Sequence, residues 1–313
     1  MQDTLFLILL ILAGAIRAGT PLLFATLGEI FAERAGVLNL GVEGMMIMGA
    51  LSGFMVTVRT GNAWTGLLAA ILVGGAIGLI HAVLAITLRA NQVVSGLALT
   101  IFGTGLSSFL GQKLVGVPAP DTFGVVRIPV LGDLPVLGPL VFQHDILVYL
   151  SFLLAPLAWF LMFKTRPGLH LRAVGESPAT ADAMGVSVVG LRYLYVFLGG
   201  MLAGLGGAYI SLALTPGWAD GMTAGRGWIA IALVIFATWS PARAMVGAYL
   251  FGGVEAAQFR IQGTGTQVPS FFLNMTPYIF TIIVLVIATQ ETVRRRIGAP
   301  AALGLPYERE ERG

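Results

Sequence analysis

The sequence predicts an all-α fold, a polytopic bundle of about nine transmembrane helices. Only 11% of its 313 residues are charged, whereas soluble domains contain about 25% charged residues. The mean hydropathy is +0.88. Apolar stretches of about 20 residues, the length that crosses the hydrocarbon core, follow one another along the chain and leave no room for a separate soluble domain. We therefore treat 1–313 as a single membrane domain.

The nine expected spans are separated by polar or proline-containing breaks. They cover residues 5–27, 40–58, 64–88, 93–112, 144–163, 193–214, 227–240, 244–260 and 271–290. The first span has no basic region before it and no cleavage site, so we expect it to be retained and not removed as a signal peptide. The seventh and eighth are short, and Ser240-Pro241 breaks the seventh. Short or interrupted spans suggest half-helices that do not cross at full depth.

Glycine is frequent, with 42 residues. Gly74 with Gly78, and Gly200 with Gly204, have the small-xxx-small spacing that lets transmembrane helices approach closely. We therefore expect tight helix packing at these two places.

Lysine and arginine are shared unequally between the two sides of this arrangement. One side carries most of the 18 basic residues, namely Arg34, Arg89, Lys164, Arg166, Arg172, Arg192, Arg243, Arg294, Arg295, Arg296, Arg309 and Arg312. Since cytoplasmic loops are enriched in lysine and arginine, the nine-span arrangement places the N-terminus outside and the C-terminus inside a cytoplasmic (inner) membrane. Membrane topology thus explains the pI near 9.4, and we expect no nucleic acid partner.

The composition argues against catalytic chemistry. Cysteine is absent, which excludes disulfides and thiol chemistry. His81, His144 and His170 are scattered and lack metal-binding spacing. The sequence contains neither a Gly-x-x-x-x-Gly-Lys-Ser/Thr phosphate loop nor a Gly-x-Ser-x-Gly turn. We therefore expect a protein that is not an enzyme, with no catalytic residue, no metal site and no cofactor of its own.

Two long loops interrupt the apolar pattern. Residues 113–143 lie outside and are rich in proline and glycine, which predicts either an ordered cap without regular structure or a mobile lip. Residues 164–192 lie inside, where Ser177-Pro178 can begin a helix and Gly185 can end it in the left-handed conformation. This predicts a helix of about two turns with small residues on its surface. It either contacts a partner or is an ordinary capped surface helix.

Six blocks of sequence, spread from near the start to near the end, carry a family resemblance. They are Thr20 to Glu29, Glu33 to Gly44 (Glu-Arg-Ala-Gly-Val-Leu-Asn-Leu-Gly-Val-Glu-Gly), Asn91 to Leu99, Gly175 to Gly185, Val268 to Tyr278 and Gly298 to Tyr307. They resemble permease subunits of ATP-binding-cassette (ABC) importers, in the group that moves branched-chain amino acids, simple sugars and nucleosides. The last block is most similar to the nucleoside (simple sugar) permeases. One place departs from the pattern: Ala237-Thr-Trp-Ser-Pro241 stands where related permeases often have Gly-Arg-x-x-Pro.

The resemblance implies a type II ABC importer fold and import of a small polar solute, a nucleoside or simple sugar, by alternating access. It implies a separate ATPase subunit that holds ATP and magnesium, and an external substrate-binding protein or lipoprotein. A second, related permease would complete a heterodimer, with a homodimer as the alternative. Residues 164–192 become the coupling loop and 293–313 a cytoplasmic tail. The expected ATPase contacts are Glu176, Ser177, Pro178, Ala179, Asp182 and Gly185.

Polar residues within membrane spans are costly and usually face a cavity or a partner. The candidates for the translocation pathway are Asn39, Glu43, Asn91, Gln92, Ser95, Glu255 and Gln258. Each has a structural alternative: a tie at the break between the first two spans, a cap at the start of the fourth, or pairing of Glu255 with Arg260. Aromatic faces that could stack on a base or sugar belong to Phe102, Phe109, Trp218, Trp228 and Trp239, although interfacial anchoring explains most such residues.

Other classes of function remain as alternatives. An ion-coupled secondary transporter would need carboxylates spaced along the spans, and this chain has few. An intramembrane enzyme would need a nucleophile or metal constellation, which the sequence does not contain. A scaffold that transports nothing would leave the inner loop unexplained.

Overall fold

The computed structural model describes residues 2–263, 269, 272–273, 275–288 and 298–308. Its α-helices are α1 (Gln2–Arg34), α2 (Val42–Thr60), α3 (Ala63–Ala82), α4 (Gln92–Gly111), α5 (Ile146–Lys164), α6 (Arg166–Glu176), α7 (Pro178–Ala183), α8 (Val188–Tyr209), α9 (Arg226–Phe236), α10 (Pro241–Gly263) and α11 (Thr276–Ala288). A π-helical turn extends α3 over Val83–Thr87 and α8 over Ile210–Leu214. The strands β1 (Val125–Arg127) and β2 (Gln143–Asp145) pair antiparallel.

Six helices of the described residues are long and apolar enough to cross a membrane: α1 to α5, and α8. They coincide with the first six expected spans, which confirms the all-α membrane bundle. The seventh span is the short helix α9, with 11 residues. The expectation of a short eighth span was wrong, because α10 has 23 residues. The ninth contains α11, and part of 271–290 lies outside the described residues.

The centre of the bundle is formed by α8 and α2. Of their apolar windows 78% and 72% are buried, against 33% for α4 and α5. Gly74 on α3 packs against the backbone of Gly200 and Gly204, and a β-carbon on Gly74 would overlap the Gly200 carbonyl oxygen. Gly49 on α2 meets Gly204 in the same way. The close helix packing predicted from small-xxx-small spacing is therefore confirmed.

One end of the bundle gathers loops that the basic-residue count places on one side. The Arg34 guanidinium donates to the Trp239 carbonyl at 3.5 Å, and Arg89 pairs with Glu308. The tail, residues 298–308, folds back here, with the Ala302 N–H on the carbonyl of Gly175 in α6. We call this the cytoplasmic end, following the excess of basic residues.

Arg192, near the start of α8, joins three elements at the cytoplasmic end. Its side chain is 2% exposed. Nε donates to the Ala35 carbonyl at 3.1 Å and Nη1 to the Leu305 carbonyl at 3.2 Å. Because unpaired buried charge is costly, these carbonyls fix the end of α1 and the tail to α8.

The outer loop has more regular structure than its proline content predicts. Besides the β1–β2 pair, it contains short helical turns at Gln112–Leu114, Leu131–Asp133 and Gly138–Phe142. The prolines fall between these elements or at the start of a turn, where their missing N–H costs nothing. The expectation of a cap without regular structure was therefore wrong.

Candidate functional site

Helix α9 begins inside the bundle. Thr26 on α1 donates its hydroxyl to the Ala230 carbonyl in α9 at 3.4 Å. Thr26 lies about 12 Å along the axis of α1 from Arg34, at the cytoplasmic end, so this part of α9 lies at that depth in the bundle. At the other end, the Trp239 indole N–H donates to Glu33 Oε2 at 2.5 Å. A helix of this length covers about 16 Å, roughly half of the hydrocarbon core. The preceding residues 215–225 therefore form a non-helical segment that runs into the bundle.

The Glu43 carboxylate, in the first turn of α2, binds the N-terminus of α9. Oε1 accepts the Thr223 hydroxyl at 2.6 Å and the Gly225 N–H at 2.9 Å, and Oε2 accepts the Gly227 N–H at 2.6 Å. N–H groups of the first turn have no partner within a helix, and negative charge is favourable there. Gly225 has φ +75°, which suits glycine at the turn into the helix. Glu43 thus braces α2 against the broken helix.

The link between α1 and α2 is tied into the bundle by polar groups. The Asn39 N–H donates to Glu29 Oε1 at 2.9 Å, and Asn39 Oδ1 accepts the Gly41 N–H at 3.0 Å. The Leu38 N–H donates to Gln92 Oε1 at 2.7 Å. Asn39 therefore ties the break between α1 and α2, which was the structural alternative to a pathway role.

The polar residues at the start of α4 are also engaged. Asn91 caps α4 by accepting the Val94 N–H at 3.1 Å. Ser95 Oγ lies 2.9 Å from His81 Nδ1, and His81 Nε2 lies 3.0 Å from the Leu38 carbonyl. These contacts hold α3 and α4 to the α1–α2 link.

Glu255 pairs with Arg226 on α9, so the alternative of pairing with Arg260 was wrong. Only residues three or four positions apart are neighbours on a helix surface, and Arg260 follows Glu255 by five. Gln258 is buried on α10, and the Thr276 hydroxyl of α11 donates to its Oε1 at 3.5 Å. The two polar residues therefore connect α10 to different neighbours.

Helix α4 presents an exposed row of apolar side chains that ends at a polar pair. Ile101, Phe102 and Phe109 are 74%, 53% and 70% exposed, and their spacing places them on one helix face. Ser108 on this face donates its hydroxyl to Asp220 Oδ1 at 2.6 Å. We use the name α4 face for a set of five residues, four on α4 and one on the 215–225 segment: Ile101, Phe102, Ser108, Phe109 and Asp220.

The three tryptophans considered for stacking on a solute differ in how far they are buried. Trp228, in the first turn of α9, is partly exposed. Trp218 is 5% exposed and its ring packs against Gly111, while Trp239 is 4% exposed. A ring buried in this way has no free face, so Trp218 and Trp239 do not stack on a solute in this conformation.

Residues 164–192, the expected coupling loop, contain two helices where the sequence predicts one. α6 begins at Arg166 because the Thr165 hydroxyl accepts the Gly168 N–H at 3.3 Å, and Pro167 in the first turn is compatible with a helix start. Ser177 separates α6 from α7, but its hydroxyl donates to Thr180 Oγ1 at 2.7 Å and caps no backbone N–H. The expected side-chain cap at Ser177 was therefore wrong.

Most of the residues expected to contact an ATPase are exposed to solvent. Glu176, Ser177, Ala179 and Gly185 are exposed, while Pro178 and Asp182 are partly buried. Gly185 has φ +81°, as the predicted left-handed end requires. Beneath them, Val174, Ala181 and Val188 form a small core. Met184, beside Gly185, is 79% exposed. It was not among the contact residues predicted from the sequence, although a large apolar residue among alanines and glycine could have indicated it.

Comparison with known proteins matches residues 11–289 to the family described as "Branched-chain amino acid transport system / permease component". The chain is 44% identical to TsgC13 of Haloferax volcanii, over 96% of this chain and 98% of that protein. The name of TsgC13 assigns it provisionally as a permease of a glucose ABC transporter. It is 34% identical to the guanosine ABC transporter permease protein NupQ of Bacillus subtilis, over 99% of this chain and all of that protein.

Each of these two organisms also has a more distant relative of the chain. The glucose ABC transporter permease protein TsgB13 of Haloferax volcanii is 26% identical over 89% of this chain and 76% of its own length. The guanosine ABC transporter permease protein NupP of Bacillus subtilis is 24% identical over 90% of this chain and 82% of its own length.

Proposed function

The chain belongs to the family of branched-chain amino acid transport system permease components, and from this premise we propose that it moves a nucleoside or a simple sugar through the cytoplasmic membrane. It is a multi-pass permease of an ABC transporter and not its catalytic subunit. The observation that carries the choice of solute is the pair of relatives named for guanosine and glucose, which match the chain over nearly its whole length.

For the solute pathway we propose the α4 face together with residues 215–225. Aromatic side chains such as Phe102 stack on a nucleobase or on the apolar side of a sugar ring. Asp220 and Ser108 offer the hydrogen bonds that hydroxyl groups need. Asn39, Glu43, Asn91, Gln92, Ser95, Glu255 and Gln258 then support the pathway by fixing the helices around it.

The partners follow from the two exposed surfaces. A separate ATPase, which holds ATP and magnesium, docks on Glu176, Ser177, Pro178, Ala179, Asp182 and Gly185, and Met184 adds an apolar anchor. Its movement reaches α8 through the core under α7 and through Arg192. A second permease lies opposite the α4 face, so that the solute pathway runs between the two permeases. The more distant relatives in the same two organisms favour a heterodimer over a homodimer. A substrate-binding protein or lipoprotein delivers the solute at the opposite end.

Reconstitution of the four components in proteoliposomes tests this function. Radiolabelled guanosine and glucose are supplied outside, and ATP inside, with a non-hydrolysable ATP analogue as the control. We expect ATP-dependent uptake of one solute. Equal uptake driven by a proton gradient without ATP would instead identify an ion-coupled secondary transporter.

A further inference from the structure

A cavity of about 520 Å3 lies between α1, the end of α8 and α10, toward the end of the bundle opposite the tail. Four charged side chains line it, those of Arg17, Arg226, Glu255 and Arg260. The α4 face contributes no residue to its lining, and Thr215 is the only residue of the 215–225 segment that reaches it. Its position and charge therefore need their own explanation.

The cavity has an excess of positive charge. Glu255 pairs with Arg226, and both side chains are 13% exposed. Neither Arg17 nor Arg260 has a carboxylate within ion-pair distance in the part of the chain that the structure describes. Among the described residues, these two arginines of the lining therefore have no direct ion-pair partner.

Arg17 lies at an unusual depth for such a charge. It is within the span that begins at Ile8, about 14 Å along the axis from that residue. Its guanidinium lies beside the Tyr209 hydroxyl, which donates to Asp145 Oδ2 at 3.2 Å. Its Nε is enclosed and has no hydrogen-bond partner among the described groups. A charge in a span is costly unless it is paired, so an acceptor from outside the chain would complete this site.

The rim of the cavity is apolar. Leu10 on α1 is 40% exposed and Phe259 on α10 is 59% exposed, and both line the cavity together with the arginines. A soluble anion gains nothing from such a rim, whereas the acyl chains of a lipid pack on it. Long arginine side chains at this depth reach toward the headgroup region, and a guanidinium binds phosphate oxygens in a bidentate manner.

We propose that this cavity binds the phosphate of an anionic phospholipid in the leaflet opposite the tail. Arg17 and Arg260 hold the phosphate oxygens, and the acyl chains lie along Leu10 and Phe259. The proposal does not depend on which solute is transported. A soluble phosphate offers the same oxygen ligands, so the experiment must separate the two sources.

The first experiment measures lipids that co-purify with the complete transporter. The variant Arg17→Gln/Arg260→Gln is compared with Arg59→Gln/Lys113→Gln, which removes the same charge from exposed residues elsewhere. We expect wild type and control to be enriched in anionic phospholipid over the bulk membrane. The double variant should bind it roughly fivefold more weakly for each arginine removed. Equal enrichment in all three proteins would overturn the proposal.

The second experiment identifies the source of the phosphate. The transporter in phosphatidylcholine nanodiscs is titrated with inorganic phosphate, or prepared with added phosphatidylglycerol, and its melting temperature is recorded. Stabilisation by phosphatidylglycerol alone supports the lipid site. Equal stabilisation by inorganic phosphate would assign the site to a soluble anion and overturn the lipid proposal. If the double variant does not fold, the single change Arg260→Gln at an exposed residue gives the same comparison, with about a fivefold loss expected.

Discussion

Glu43 and Gly227 are 184 positions apart in sequence, yet the Glu43 carboxylate accepts the Gly227 N–H at 2.6 Å. The contact connects the first turn of α2 to the first turn of α9. It is the means by which a helix can begin within a membrane bundle, because the N–H groups that water would otherwise satisfy are satisfied by a side chain.

Replacing Glu43 by alanine should destabilise the protein strongly. Three donors lose their acceptor in a buried place, at a cost of roughly 3 kcal/mol or more. Glu43→Gln keeps the shape but turns an NH2 group toward one of the donors, so its effect should be intermediate. Thermal unfolding of the purified transporter and solute uptake measure both variants. Wild-type melting of Glu43→Ala would show that the contact contributes little.

Gly185 and Gly61 form a matched pair for testing the coupling surface. Both have positive φ, +81° and +69°, and a β-carbon at either position would meet open space. Replacement by valine therefore introduces the same backbone strain at each place. Gly185→Val should reduce stimulation of the ATPase by solute and receptor, with membrane insertion intact, because Gly185 lies on the proposed ATPase contact. Gly61→Val should leave stimulation unchanged, and equal effects of the two would contradict the coupling role.

Phe102 and Phe160 test the solute pathway. Both are 53% exposed, Phe102 on the α4 face and Phe160 on α5. Phe102→Ala should raise the KM for the transported nucleoside or sugar, roughly tenfold if the ring stacks on a base, without lowering the melting temperature. Phe160→Ala should change neither. An unchanged KM in Phe102→Ala would remove this residue from the pathway.

Arg192 and Glu308 should differ sharply in their contribution to stability. Arg192→Gln leaves the Ala35 and Leu305 carbonyls without their donor in a buried place, and we expect a loss of about 2–4 kcal/mol. Glu308→Gln breaks only the partly exposed pair with Arg89, which is worth at most about 1 kcal/mol. Chemical unfolding in detergent measures both. Comparable losses of stability in the two variants would mean that the exposed Arg89–Glu308 pair holds the tail as strongly as the buried Arg192 contacts do.

His144 predicts a pH dependence of stability. Burial lowers the pKa of His144, partly offset by its hydrogen bond to the Leu140 carbonyl and by Asp145. The neutral form is thus favoured in the folded protein, and stability should fall as the pH drops below about 6.5, the ordinary value for histidine. His144→Gln should flatten this part of the melting profile, whereas His170→Gln, at an exposed residue, should not. An identical profile in both variants would assign the acid sensitivity to other groups.

Local signals in the sequence predicted much of this fold. Apolar length located the first six spans, Ser240-Pro241 indicated the short helix, and the left-handed conformation of Gly185 followed from its position after a short helical segment. Pairings between distant residues were not predictable. Glu255 had a nearby basic residue in sequence, but its partner came from another helix.

The same limit applied to the candidate site. Asn39 ties the break between α1 and α2, as one of its two alternatives had it. Glu43 instead reaches α9, which nothing local in the sequence indicated. Helix α6 was not predicted, although Pro167 is acceptable in the first turn of a helix. Burial, which separated Phe102 from Trp218 as candidates for stacking, is a property of the folded bundle.

The contact of Gly74 with Gly200 restricts how this molecule can change shape. Carbonyl oxygens fill the space where β-carbons would be. Because the contact is made by backbone atoms, no change of side-chain rotamer can make room for α3 to slide or rotate against α8. We therefore expect α3 and α8 to move as one rigid unit during the transport cycle. Displacement has to be taken up by the loosely buried outer helices, which makes α4 and α5 the places to attach distance probes.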